Sequence, residues 1–99
     1  MATLLPFCVY VLFSEKDHLL YTGFTRGLEA RMNDHQAGRN SSTKGRRPLK
    51  LIFCEYYLFE EDARKREMYL KTTAGKKALK IMLRNSLSNL GYRGTISPL

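Results

Sequence analysis

The sequence predicts one α+β (mixed α/β) domain: a three-stranded antiparallel sheet flanked by helices, in the order β-β-α-β-α-α. Three observations carry that expectation. Three short runs are rich in β-branched and aromatic residues and are bounded by turn residues. Apolar residues at helical spacing occur between the second and third runs and again after the third. A chain of 99 residues, 43% hydrophobic and 11% aromatic, can bury one modest core and has too much apolar material for disorder.

The first strand is expected over residues 7–13 (FCVYVLF), opened by Pro6 and closed by the turn sequence Ser14-Glu15-Lys16-Asp17. Residues 19–25 (LLYTGFT) read as its antiparallel partner, and Gly23 inside that run marks a bulge or a point where another group approaches the backbone. Leu28, Met32 and His35 at helical spacing predict a helix over 27–37, with Thr25 as N-cap and Gly38 as its stop. Residues 38–48 (GRNSSTKGRRP) are polar, basic and glycine-bearing. They form a loop longer than the usual ~4–6 residues, a length that points to function. The third strand is expected over 49–58. Helices follow over 60–71, with Ala63, Glu67 and Leu70 on one side, and over 75–87, with Ala78, Leu79, Met82 and Leu83 at core spacing. The domain then spans 1–99, with its core over 7–87 and an irregular tail over 88–99.

Charge narrows the class of partner. Lys and Arg number 17 against 9 Asp and Glu, a net charge of +8 with a pI near 9.8, which is the footprint of a polyanion-binding domain, nucleic acid first among them. Cys8 and Cys54 both lie in apolar runs, and neither has the close Cys or His spacing that would suggest zinc, so each reads as a buried reduced thiol. The apolar segment over 4–13 is far too short to span a bilayer and lacks the basic lead and cleavage site of a secretory signal. A cytoplasmic monomer, off the membrane, is expected.

Within this frame a set of chemically capable residues is spread over separate elements. Tyr10 ends up on the first strand and Tyr21, eleven positions later, opens Tyr21-Thr22-Gly23 on the second. Arg31 follows Tyr21 by ten positions and His35 follows Arg31 by four, on one face of the predicted helix. Glu67 lies on the helix over 60–71. Taken alone, each has an ordinary reading: packed aromatics for the tyrosines, solvated surface for Arg31 and His35, local ion pairing for Glu67 among Arg64, Lys65, Arg66 and Lys71. Their joint order and spacing outweigh those readings.

In that order and spacing the chain resembles the GIY-YIG nuclease superfamily over about residues 7–83, and it looks most like the small standalone bacterial members of the UPF0213 type. Cys8 stands where the first motif has its glycine and Thr22 where the second has its isoleucine; both are packing positions that leave the tyrosines in place. The segment Thr43-Lys44-Gly45-Arg46-Arg47-Pro48 resembles a loop common in the family, and Asn85 and Asn89 both fall where the family carries an asparagine after its glutamate. The resemblance implies phosphodiester hydrolysis in DNA. Glu67 would bind one Mg²⁺ (or Mn²⁺) ion, which acts mainly as a Lewis acid. Arg31 would offer a planar donor fork to the phosphate. Tyr10 would act as base, eased by the metal and cationic neighbours, with His35 as the contender, and Tyr21 would help to position the water. Lys44, Arg46, Arg47 and Arg39 are the expected phosphate contacts. The competing reading is a non-catalytic or partner-dependent nucleic-acid-binding module on the same fold, with a recruiting protein supplying the target.

Overall fold

The first apolar run shows no alternation of polar and apolar residues, and the structure gives the reason. Cys8, Val9, Tyr10, Val11, Leu12 and Phe13 are each at most 1% exposed, because their strand is the middle one of the sheet and is covered on both faces. The computed structural model describes residues 4–94. It contains β1 (Phe7–Ser14), β2 (Leu20–Thr25), α1 (Leu28–Gln36), a 3-10 turn (Lys44–Arg46), β3 (Leu49–Tyr57), α2 (Glu60–Leu70), α3 (Thr73–Met82) and α4 (Arg84–Leu90). The sheet order is β2-β1-β3, antiparallel throughout. The expected α+β class therefore holds, with one helix more than expected.

Strand parity divides the core in two. Cys8, Tyr10 and Leu12 face one way and pack with Leu49 and with Leu28 and Met32 of α1. Val9 and Val11 face the other way and pack with Phe24, with Ala63 and Leu70 of α2 and with Leu79 of α3. Burial of these apolar side chains is the main stabilising term. Three acidic residues, Glu60, Glu61 and Asp62, fill the first turn of α2, where they complement the helix dipole. Thr72 caps α3 by accepting a hydrogen bond from the Gly75 N–H at 3.0 Å.

The register sets Gly23 directly opposite Tyr10, and the Tyr10 ring lies across it. A Cβ at Gly23 would stand 2.4 Å from Tyr10 Oη and 2.5 Å from Cζ, so only glycine leaves room for the phenol. The close approach expected at this position is thus made by Tyr10. The β-bulge lies elsewhere, between Val11 and Leu12 on the β3 side.

Several boundaries differ from the sequence reading. Gly27, not Thr25, is the N-cap of α1, and Thr25 Oγ1 instead accepts from the Gly27 N–H and donates to the Gly27 carbonyl. Gly38 does close the helix region, at φ +77°. The helix expected over 75–87 is two helices that break at Leu83, and α4 continues to Leu90. Residues 88–90 are therefore helical and not part of an irregular tail: Leu87 is fully buried and Leu90 half-buried, which carries the apolar stripe one turn further. Residues 95–99 of that tail lie outside the described residues. Cys8 is buried as expected, but Cys54 is exposed, because β3 is an edge strand with few fully covered positions.

The end of the described chain folds back on the first hairpin. The Arg93 N–H donates to the His18 carbonyl at 3.0 Å, and His18 Nδ1 donates to the Gly91 carbonyl at 3.0 Å. His18 itself adopts a positive φ of 61° and sets its ring edge-on against Phe13. Among the described residues no helix is long and apolar enough to cross a membrane.

Candidate active site

Tyr10 from β1, Tyr21 and Gly23 from β2, Arg31 from α1, and Arg64 and Glu67 from α2 line one small cleft of about 240 Å³ whose surface is almost wholly polar. These groups come from both faces of the sheet. Tyr10, Tyr21 and Arg31 belong to the face covered by α1, whereas α2 packs on the opposite face through Ala63 and Leu70. Because β2 is an edge strand, Glu67 and Arg64 reach the same cleft past that edge. Their spacing of three positions on α2 puts both on one helix face.

His35 does not line the cleft. It lies directly behind Tyr10, 1% exposed, with Nε2 2.7 Å from Tyr10 Oη and Nδ1 2.7 Å from Thr43 Oγ1. The Tyr21 ring sits edge-on to the same imidazole at 5.4 Å between centroids. The row Tyr10–His35–Thr43 runs from the cleft into the core. One proton arrangement has the Tyr10 hydroxyl donating to Nε2 while Nδ1–H donates to Thr43; the other reverses both bonds. Thr43 is fully buried, held inward by turns in which its N–H donates to the Asn40 carbonyl and its own carbonyl accepts from the Arg46 N–H. No sequence signal singled out Thr43, since a loop hydroxyl beside serines and glycine reads as a local turn residue.

Burial sets the protonation of this pair. Burial, then the neighbouring Tyr21, pushes the Tyr10 phenol well above its ordinary range, and the Arg31 guanidinium opposes this only in part. Tyr10 on its own is thus a neutral hydrogen-bonding phenol. Burial, then Arg31, lowers the His35 imidazole below its ordinary value, with Asp34 opposing. A neutral imidazole at neutral pH follows.

Among the described residues Glu67 is the sole carboxylate lining the cleft. Its oxygens meet Lys71 Nζ at 2.9 Å and Arg64 Nη1 at 3.9 Å. Among the described residues no cluster of three or more His, Cys, Asp or Glu could hold a metal ion unaided. A lone carboxylate fits Mg²⁺, which keeps most of its waters and shares oxygens of a bound phosphate. Asn85 and Asn89 are both exposed on α4, outside the cleft, with the Asn89 amide donating to the Asn85 carbonyl. Two cations that sequence reasoning passed over, Arg26 and Arg64, join Arg31 at the rim. Arg26 pairs with Glu60 at 2.6 Å, and Arg64 lies over the Phe24 ring at 3.8 Å. The Arg64–Glu67 spacing was the available clue.

The basic loop divides in its behaviour. Arg46, expected at a phosphate, is part-buried and makes its pairs within the protein. Its guanidinium takes Asp17 in a two-point pair at 2.6 and 3.2 Å and also reaches the Leu20 carbonyl, while its own carbonyl accepts from Ser14 Oγ. That pairing holds the Asp17 carboxyl down at about 2. Arg47 is exposed and donates to the Lys44 and Gln36 carbonyls, with its guanidinium packed against Gly38. Arg39 is exposed and paired with Asp34 at 2.8 Å. Lys44 is exposed and lines a shallow groove with Arg47 and Lys16.

Residues 6–80 match the family model described as the GIY-YIG catalytic domain. The chain is similar to the UPF0213 protein of Clostridium perfringens, 34% identical over 90 residues that cover 90% of this chain and 96% of that one. It is also similar to the UPF0213 proteins of Staphylococcus haemolyticus, 40% identical, and Staphylococcus saprophyticus, 38% identical, each over 68% of this chain and 83% of the relative. No solved structure matches the chain. The matched segment carries both tyrosines, Arg31 and Glu67 of the cleft and His35 behind it, and the chain belongs to the GIY-YIG catalytic domain family.

Proposed function

We propose that this chain is a divalent-metal-dependent endonuclease that hydrolyses phosphodiester bonds in DNA, guided by DNA structure more than by sequence, and serving repair or recombination. Family membership supports an endonuclease-type function. The observation that carries the finer reading is that four elements deliver Tyr10, Tyr21, Arg31 and Glu67 to one polar cleft with His35 bonded behind Tyr10. Three guanidinium groups around a single carboxylate suit an anionic substrate.

Arg31 clamps the scissile phosphate through its planar fork, and Arg26 and Arg64 add positive potential at the rim. Tyr21 orients the attacking water from the mouth of the cleft. Tyr10 holds that water's proton path, and His35 takes the proton at Nε2 while Thr43 keeps the ring in place. One Mg²⁺ or Mn²⁺ held by Glu67 supplies Lewis-acid stabilisation of charge on the phosphate when bound. A domain this small leaves little surface for reading bases in a groove, which favours shape over sequence as the basis of choice.

Incubating the full chain with branched, flapped, nicked and plain duplex DNA, with and without Mg²⁺, tests the proposal. Cleavage that needs the metal and disappears in Glu67→Gln, with DNA affinity kept, is the expected result. Retained activity in that variant would show that another group holds the metal. The salt bridges that Lys71 and Arg64 make to Glu67 favour one second reading, a domain that binds DNA without cutting it. Binding without cleavage of any substrate would select that reading.

A further inference from the structure

A second concavity adjoins the cleft and takes no part in the chemistry above. It is a groove of about 380 Å³ between the start of β2 and the α2–α3 corner, within the ~300–1,000 Å³ range of small-molecule sites. Its floor is apolar, made by Leu20, Leu70 and Leu79, and the Tyr92 side chain lines it. Its rim is cationic, with Lys71, Lys76 and Lys80, and Lys80 Nζ stands 5.9 Å from the centre of the Tyr92 ring. Among the described residues no carboxylate pairs with Lys76 or Lys80. Tyr21 lines both this groove and the catalytic cleft, and Lys71 of the rim bonds Glu67 of the cleft.

An apolar slot with an aromatic wall and a ring of lysines has a specific complement. A greasy ligand would leave the ammonium groups uncompensated, and a simple anion would not use the floor or the ring. An unpaired nucleotide satisfies both: a flat base for Tyr92 and the leucines, and phosphates for the lysines. Duplex DNA keeps its bases stacked and cannot offer one. We infer that this groove binds a base of single-stranded DNA beside the catalytic cleft, so that the chain engages the junction between an unpaired strand and the phosphate to be cut. The inference rests on the nuclease reading for its role and on the groove's own chemistry for its ligand.

The test measures binding in the presence of EDTA, where no cleavage is required. Fluorescence anisotropy follows a labelled eight-residue thymidine strand, an abasic strand of equal length, and a short duplex. Tyr92→Ala is expected to weaken the thymidine strand roughly 5- to 150-fold, the loss that follows removal of one stacked base, and to leave the abasic strand and the duplex unchanged. Tyr92→Trp should restore binding, with quenching of the new indole on titration. Leu19→Glu, a change at an exposed position of the groove's mouth, should weaken all single strands without unfolding the domain, which circular dichroism checks. Equal affinity of wild type and Tyr92→Ala for the thymidine strand would overturn the inference, as would abasic and thymidine strands binding alike to wild type. A concentration-dependent dimer lost in Tyr92→Ala, with strand binding unaffected, would give the groove to a second copy and also overturn it. Absence of cleavage by wild type, by contrast, sinks the nuclease reading and leaves these affinities to be read.

Discussion

Gly23→Ala isolates the contact that joins the two tyrosine motifs. The added methyl would stand 2.4 Å from Tyr10 Oη, 2.5 Å from Cζ and 2.9 Å from Cε1. Those atoms cannot simply swing away, because the ring is fully buried and its hydroxyl is bonded to His35. Forcing a methyl into a packed core costs about 1–3 kcal/mol. Displacing the ring also strains the buried Tyr10–His35 hydrogen bond, worth about 1 kcal/mol. The sum is roughly 2–4 kcal/mol, which lowers Tm by roughly 10–25 °C in a domain of this size. Urea denaturation followed by circular dichroism gives the free energy, and a double-mutant cycle assigns its origin. Tyr10→Leu removes the hydroxyl and the far ring atoms, so Gly23→Ala should be milder by about 1 kcal/mol or more in that background. Additivity within ~0.5 kcal/mol would refute the account, because it would mean that the methyl meets something other than Tyr10. Any nuclease activity should fall in the single variant far more than stability alone explains.

Thr43→Val keeps the shape of the site but leaves His35 Nδ1 without its partner, a buried loss of about 1–3 kcal/mol, and ¹⁵N NMR of the imidazole should show the change of tautomer balance. Because His35 titrates below its unfolded value, its contribution to stability is present above about pH 6.5 and shrinks as pH falls below that, where the unfolded chain takes up the proton first. The Asp17 carboxyl, held at about 2, behaves likewise in acid: its contribution is present above the ordinary carboxylate range and is lost as pH falls from about 4 towards 2. Since that pair is partly exposed, about 1 kcal/mol is at stake, and Asp17→Asn should flatten the urea midpoint between pH 5 and pH 3. Replacing Lys44 and Arg47 together with glutamine should reduce the slope of log affinity against log salt by roughly 1–2 for DNA, whereas Arg46→Gln should lower stability and leave the slope alone. Parallel lines for the Lys44 and Arg47 pair would remove the loop from the DNA surface.

The three strands and the helices α1 and α2 were legible to within a residue or two, since each is written as an apolar run or stripe bounded by Pro, Gly or charged turns. The break between α3 and α4 was not, because Leu79, Met82, Leu83 and Leu87 continue one apolar series across it and no Pro or Gly marks the bend. Of the site, the residues were visible through spacing along the chain, but their arrangement was not. Glu67 reaching round the edge of β2, Arg46 turned inward to Asp17, and Thr43 behind His35 all depend on long-range placement that leaves no local pattern. Arg46 illustrates the limit: in sequence it is one of a pair of adjacent arginines, and only the folded hairpin brings Asp17 to one of them.

The link between His18 and the Gly91–Arg93 segment closes a loop of more than seventy residues, so it is among the long-range contacts that chain search must find. During synthesis the first hairpin emerges early, while this tie must wait until residues 91–93 have left the ribosome. The sheet and its two helical layers can assemble before it, and it should be among the first contacts to release when the native state opens locally. Hydrogen exchange would then find the Arg93 amide opening at far lower free energy than Val9 or Val11. Tyr92 sits between the two tied residues, so the wall of the base-binding groove comes and goes with this latch while the catalytic cleft stays intact.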